Sequence, residues 1–242
     1  MNFFSRRRRI LQIGLLLPAG GALLACSRRL PSTTQNGSPP AFFTGDERNF
    51  IHAATARLIP DSDDSAGAIA AAVPFFIERQ LAGPFGAAET WYMQGPWQTG
   101  TPEQSYQLSY TPAQLYRQAI RDIDDYCRRT LKQPFHALPA EQQDNVLHGL
   151  ESGDIALATL PSAAFFAMLW QNTQEGFLAD PMYGGNRAFA GWKLIGFPGP
   201  RYNYVEDIKR YGQRYAEPVT GLLGRDGTRI LGDPDQASPA TA

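Results

Sequence analysis

The stretch that decides the fold runs PSAAFFAMLWQNTQEGF over residues 161–177, and DPMYGGNRAFAGWKLIGFPGPRYNY follows at residues 180–204. The first part is apolar almost all round at helical spacing, which predicts a central, buried helix. Its uncharged run is too short to span a bilayer. The second part holds five glycines and three prolines, so it predicts a long loop. Its aromatic residues argue against disorder, and long ordered loops are usually functional.

Upstream of this stretch, start and stop signals predict four more helical segments. They are a capping box at Thr44–Glu47, an alanine-rich run at 67–81 in which Pro74 kinks or restarts the helix, Thr111-Pro112 opening a helix to Leu131, and Leu138-Pro139 opening one to Gly153. A short charged helix is predicted at 205–215. No convincing strand alternation or internal repeat is present, so the predicted fold is all-α: an orthogonal bundle of five or six helices with two long Gly/Pro/aromatic loops.

The second of these loops covers residues 83–110 and is also rich in glycine, proline, tryptophan and tyrosine. One interpretation is a hydrophobic flap that seals the core. The other is a recognition surface, because Trp and Tyr are favoured anchors at interfaces. The sequence does not decide between them.

The N-terminus has the features of an export signal. Arg7 and Arg8 lie in the pattern Arg-Arg-x-Ile-Leu-Gln and precede a weakly apolar run at 13–25, which predicts a twin-arginine signal peptide over 1–25. The alternative is an ordinary Sec signal. Leu23-Leu24-Ala25-Cys26 resembles a lipobox, so Cys26 is a predicted lipidation site, while a cut after Gly21 or Ala22 would leave its thiol unmodified. Residues 26–41 are then a flexible tether.

Charge and cysteine content exclude several classes of protein. Removing residues 1–25 takes away four arginines and no acidic residue, so the formal charge moves from −1 to −5. A mildly acidic chain has no general attraction to nucleic acid. Only Cys26 and Cys127 are present, there is no CxxCH, and three histidines at 52, 136 and 148 lack ligand spacing. We therefore expect no cofactor, metal or haem in this chain, and Cys127 as an inert residue facing the core.

Catalytic motifs are also missing from the sequence. No nucleophile elbow, Walker A loop or dinucleotide fingerprint occurs. A weak hypothesis remains in which a carboxylate such as Asp180 or Glu175 works as a catalytic group. We expect a non-catalytic chain.

Three blocks of sequence resemble one protein family. Asn172-Thr173-x-Glu175-Gly176-Phe177, Asp180-Pro181-x-Tyr183-Gly184-Gly185-Asn186, and Gly191-Trp192-Lys193 with Gly196-Phe197-Pro198-Gly199 are similar to subunit 3, the small subunit, of gluconate 2-dehydrogenase. A further block around Thr111-Pro112-x-x-Leu115-Tyr116-Arg117 agrees with it. The resemblance covers roughly residues 42–204. With the short helix predicted at 205–215, we place the domain at 42–216, followed by an extended, partly disordered tail at 217–242.

The resemblance implies a function in a complex. In that family the small subunit carries no redox centre and escorts a large FAD-dependent dehydrogenase that lacks its own export signal. A multihaem cytochrome c subunit completes the complex, so FAD and haem c are expected in partner subunits. The expected location is the periplasm, attached to the membrane by a lipid anchor or through a partner. The substrate, gluconate, keto-gluconate, fructose, sorbitol or another sugar, stays open.

The predicted partner interface is the loop at 180–204. It consists of Tyr183, Gly184, Gly185, Asn186, Trp192, Phe197 and Pro198, in which glycines position aromatic anchors at the end of a buried helix. The plainer interpretation is that these residues pack on the core. The alternative function is a free-standing, lipid-anchored periplasmic protein whose aromatic loops enclose a small sugar acid.

Overall fold

Six α-helices form the part of the protein that the structure describes. A computed structural model describes residues 42–63, 65–98, 100–101, 104 and 106–233. The helices are α1 Gly45–Leu58, α2 Val73–Leu81, α3 Pro112–Thr130, α4 Ala140–Ser152, α5 Ser162–Leu178 and α6 Ala190–Ile195, with short 3-10 helices at Phe135–Ala137, Pro181–Tyr183, Arg187–Phe189 and Val205–Arg210. Within those described ranges no β-strand occurs, so the prediction of an all-α fold is confirmed.

Local capping chemistry fixes where α1 and α3 begin. The Thr44 hydroxyl accepts a hydrogen bond from the Glu47 backbone N–H, and the Glu47 carboxylate accepts one from the Thr44 N–H. Thr111 and Gln114 make the same reciprocal pair at the start of α3. Each pair satisfies two backbone donors that a helix start would otherwise leave open. Both predicted starts are confirmed.

Proline also acts as predicted in the alanine-rich run. The chain turns at 68–72, Ala72 adopts a left-handed conformation with φ of 59°, and α2 begins at Val73 with Pro74 in its first turn. Proline has no N–H to donate, so the first turn is where a helix tolerates it. Pro74 therefore starts a new helix instead of interrupting one.

Helix α5 lies at the centre of the fold, where it packs against α1, α2, α3, α4 and α6. Its inward face carries Phe165, Leu169 and Phe177, all at most 4% exposed. The opposite face is open, because Trp170 is 37% and Leu178 40% exposed. The predicted central position of this helix is thus confirmed, but the prediction that it is buried is wrong for one face.

The core is built around aromatic rings from four elements. The Phe50 ring lies 4.7 Å from Phe135 and 6.3 Å from Phe165, whose ring meets Tyr116 edge-on at 5.4 Å. Cys127 belongs to the same cluster and is fully buried, and burial raises the pKa of its thiol to about 12. The predicted inward orientation of Cys127 is confirmed, and its thiol stays protonated at physiological pH.

The described residues after 216 continue to contact the domain. The Leu222 N–H donates to the Asp180 carboxylate at 2.7 Å, and the Leu231 N–H donates to the Met182 carbonyl at 2.7 Å. The part of the predicted tail that is described, 217–233, therefore packs on the loop at 180–204.

The predicted signal peptide with Arg7 and Arg8, Cys26 and the tether to residue 41 lie outside the described residues. Within the part of the chain that the structure covers, no helix is both long and apolar enough to cross a bilayer.

Candidate functional site

The loop at 180–204 consists largely of short helical turns held by hydrogen bonds. Asp180 opens it, and one carboxylate oxygen accepts a hydrogen bond from the Met182 N–H at 3.0 Å while the other accepts the bond from Leu222. Two short 3-10 helices follow, and α6 then runs from Ala190 to Ile195. The Asp-Pro pair therefore anchors both the loop and the segment that returns to it.

Both glycines of the Gly-Gly pair are required by the backbone. Gly184 has φ of +106°, in the region that side chains disfavour. At Gly185 a Cβ would collide with the carbonyl group of Gly176, in the last turns of α5. These glycines let the loop lie directly against the helix, which is a packing role.

Asn186 locks the loop to the end of α5. Its side chain is fully buried, donates to the Ala179 carbonyl at 2.8 Å and accepts from the Gly191 N–H at 2.8 Å. Its backbone N–H donates to the Gly176 carbonyl at 2.7 Å. The carboxamide oxygen and one of its two N–H groups are therefore hydrogen-bonded in the interior. Asn186 is consequently not available to a partner.

Trp192 is also directed inward. It is only 4% exposed, its indole N–H donates to the Leu178 carbonyl at 2.6 Å, and its ring stacks on Phe189 at 5.5 Å. A buried tryptophan that satisfies its N–H in this way is a packing anchor. Of the predicted interface aromatics, only Tyr183 (44% exposed) and Phe197 (39%) reach the surface, and Pro198 is half-buried. Docking by this loop stays a prediction, restricted now to its exposed side chains.

Sequence reasoning missed two exposed aliphatic residues of this loop. Leu194 and Ile195 on α6 are 55% and 60% exposed, beside Phe197, which packs edge-on against Trp192 at 5.0 Å. Leu178, at the end of α5, is 40% exposed. We call Leu178, Leu194, Ile195 and Phe197 the α6 patch. The adjacent pair Leu194-Ile195, between a lysine and a glycine, was the only signal in the sequence.

The loop at 83–110 divides into an inner and an outer part. Trp91 packs between Phe85 and Tyr106, with ring centroids 5.7 and 5.1 Å away, and contacts the core. Tyr92 and Trp97 are 80% and 38% exposed and border a groove of about 1310 Å³ against α5. The inner aromatics therefore seal the core, as the first interpretation states. The outer ones line an open groove, and their use as a recognition surface stays a prediction.

Candidate catalytic and metal-binding groups occupy structural positions. Glu175 accepts hydrogen bonds from Gln171 and Asn172, and both oxygens of Asp180 are engaged as described above. Among the described residues, no group of three or more His, Cys, Asp or Glu side chains could hold a metal ion. His52 and His148 are exposed, and His136 is half-buried.

Two of the sequence blocks meet in the interior. The Tyr116 hydroxyl donates to the Asn172 side-chain oxygen at 2.8 Å, and burial raises the pKa of this phenol well above its usual value. The bond joins α3 to α5, so residues 56 positions apart belong to one structural unit.

Comparison with known proteins agrees with these blocks. The model of the family described as gluconate 2-dehydrogenase subunit 3 matches residues 45–199. No curated protein and no solved structure matches the chain.

Proposed function

The chain belongs to the gluconate 2-dehydrogenase subunit 3 family, and from this premise we propose that it is the small, non-catalytic subunit of a membrane-associated periplasmic complex. Its partners are a large FAD-dependent dehydrogenase subunit and a multihaem cytochrome c subunit, which hold the FAD and the haem c. Its own task is to escort the flavoprotein through export and to dock it. The family description supports membership of such a complex, and the surface of the chain supports docking.

The observation that carries the proposal is the α6 patch. Leu194, Ile195 and Phe197 are adjacent in the chain, and each leaves more than a third of its surface in contact with solvent. Clustered apolar groups of this size mark interfaces more often than single exposed residues do. A large partner that covers them would gain roughly 25 cal/mol for each Å² of apolar surface removed from water.

The frame beneath the patch is rigid, which favours binding. The Trp192 ring packs edge-on against Phe197. Asn186 joins the preceding turn to the end of α5 through two hydrogen bonds and to α6 through a third. An interface that is already ordered loses less conformational entropy on association. The buried residues of the motif therefore position the patch, and the exposed ones contact the partner.

The N-terminal features fit the same function. A flavoprotein must acquire FAD before it crosses the membrane, so a route for folded proteins suits a chain that travels with one. Arg7 and Arg8 would select that route, and lipidation of Cys26 would hold the complex at the membrane.

Affinity purification of the native protein from membranes tests the proposal. We expect the flavoprotein and the cytochrome to co-purify with the wild type. The double variant Leu194→Ser/Ile195→Ser should lose at least about tenfold in affinity for the flavoprotein, because two exposed anchors lose their apolar contacts. Its helical circular dichroism and melting temperature should stay those of the wild type.

Two controls separate docking from folding. Ile69→Ser removes an exposed isoleucine, 38% accessible, that precedes α2, and it should leave co-purification unchanged. Trp192→Ala should instead lower stability by about 3–5 kcal/mol, as truncation of a buried aromatic does. Normal co-purification of the Leu194→Ser/Ile195→Ser variant would refute docking through the α6 patch.

A further inference from the structure

A groove beside α5 is lined by none of the α6 patch residues, and its side chains differ in chemical character from those of the patch. It lies between the described residues of the segment 91–110 and the exposed side of α5, and its volume is about 1310 Å³. Small side chains on α5, Ala164 and Ala167, leave the space open on the helix side. This volume exceeds the roughly 300–1,000 Å³ of ordinary small-molecule pockets, so a chain of several rings has room.

Aromatic rings border the groove in two layers. Trp91 and Tyr106 form a fixed inner wall, since they pack on each other and the Tyr106 hydroxyl donates to the Tyr110 carbonyl at 2.6 Å. Trp97 and Tyr92 stand outside them, 38% and 80% exposed. The outer rings make no ring-to-ring contact with another described residue, so no neighbouring aromatic ring covers them, and the exposed part of each ring is accessible to a ligand.

The polar groups that the described residues contribute to the groove are neutral. Gln94 and Gln98 lie on its rim and make no side-chain hydrogen bond to a described residue, while Gln171 contributes from α5. Each amide offers both donors and an acceptor. None of the described residues that line the groove is Asp, Glu, Lys, Arg or His.

We propose that this groove binds a neutral saccharide of a few pyranose units. A pyranose presents C–H groups on its ring faces, which pack on the open faces of Trp97 and Tyr92. Its hydroxyls both donate and accept hydrogen bonds, which matches the amides of Gln94 and Gln98. A sugar acid fits less well, because its carboxylate would lose water without meeting a cation, and burial of an unpaired charge is costly.

Titration of the purified full chain tests this assignment. The probes are maltotriose and cellotriose as neutral saccharides and D-gluconate as the acid, followed by tryptophan fluorescence and by saturation-transfer NMR. We expect saturable binding of at least one trisaccharide and at least about tenfold weaker binding of D-gluconate. Trp97→Ala should weaken trisaccharide binding about tenfold or more, since it removes one stacking surface.

Trp170→Ala is the matched control. Trp170 is 37% exposed, almost the same as Trp97, but it does not line the groove, so its loss should leave saccharide binding unchanged. Circular dichroism of both variants should match the wild type, because neither ring belongs to the buried core. Equal loss of binding in the two variants would contradict the assignment.

Three outcomes would overturn the proposal. The first is the absence of saturable binding by either trisaccharide. The second is tighter binding of a synthetic peptide of residues 30–41, LPSTTQNGSPPA, since proline-rich segments also dock in aromatic grooves. The third is loss of flavoprotein co-purification in Trp97→Ala without any saccharide binding, which would make the groove a second docking surface. Failure of the α6 patch variant to lose its partner leaves the saccharide assignment untouched.

Discussion

At the scale of single residues, the sequence motif of the loop at 180–204 is explained by burial. Gly185 permits contact with the backbone of Gly176, and Asn186 satisfies a donor and an acceptor that no apolar residue could satisfy. A motif of this kind is specific because few residue types satisfy the backbone and hydrogen-bond requirements at each of its positions. The buried residues of the motif hold the frame of the proposed interface, while Tyr183 and Phe197 reach the surface.

Asn186→Asp tests this role with almost no change in volume. The aspartate can still accept from the Gly191 N–H, but it cannot donate to the Ala179 carbonyl, and a buried carboxylate would face that carbonyl oxygen. We expect the free energy of unfolding, measured by urea titration, to fall by about 3 kcal/mol.

Asn203→Asp is the control for this substitution. Asn203 is exposed and its side chain only accepts a hydrogen bond, from the Val205 N–H at 3.2 Å, so aspartate can replace it. Its unfolding curve should overlap that of the wild type. Equal stability of the two variants would show that the Asn186 bonds contribute little.

At the scale of elements, helix starts and the inward face of α3 could be predicted from sequence, whereas the open face of α5 could not. Thr44, Thr111 and Pro74 act on backbone atoms a few residues away, so their effect on the start of a helix can be predicted from the local sequence. The exposure of Trp170 depends on which neighbours α5 meets, and an apolar helix gives no sign of a missing neighbour. In the same way, burial of Trp192 follows from its bond to Leu178, fourteen residues away, and loop composition does not encode that contact.

A pair of charges connects α1 to α4 and gives the fold a pH dependence. Arg57 donates two hydrogen bonds to Asp144, at 2.7 and 2.6 Å, and these bonds lower the pKa of that carboxyl below its ordinary 3.8. A lowered folded-state pKa adds stability above the unfolded value, and this stability is lost as the pH falls through the folded value. Side-chain exposures of 31% and 41% keep the contribution small.

Asp144→Asn should lower the free energy of unfolding by about 0.5–1 kcal/mol at neutral pH. The difference from the wild type should shrink as the pH drops below the ordinary carboxyl range, because the wild-type carboxyl then becomes protonated. Urea titrations at a series of pH values measure both effects. Asp125→Asn removes a longer contact of 3.9 Å to Arg128 and should change stability less. A difference that persists unchanged in acid would argue against the ion pair as its cause.

At the scale of the whole molecule, the proposed docking and export functions belong to different segments of the chain. The helical domain presents the α6 patch on a rigid frame, and the N-terminal segment carries the predicted export and anchoring signals. If the flavoprotein has no signal of its own, its export depends on a patch within residues 178–197 and a signal within residues 1–25, which are far apart in this sequence. Weakening the patch or the signal should therefore leave the flavoprotein in the cytoplasm in both cases. This chain itself should be exported when the patch is weakened and retained when the signal is weakened.

The double variant Arg7→Lys/Arg8→Lys tests that dependence. Lysine keeps the positive charge of the signal but removes the guanidinium pair of the twin-arginine pattern, so both this chain and the flavoprotein should remain in the cytoplasm, as shown by fractionation and immunoblotting. Arg6→Lys/Arg9→Lys makes the same number of replacements outside the pair and should preserve export of both. Leu194→Ser/Ile195→Ser, with an intact signal, should be exported alone and leave the flavoprotein behind. Export of the flavoprotein in the Arg7→Lys/Arg8→Lys variant would refute the escort role, because the flavoprotein would then reach the periplasm without this signal.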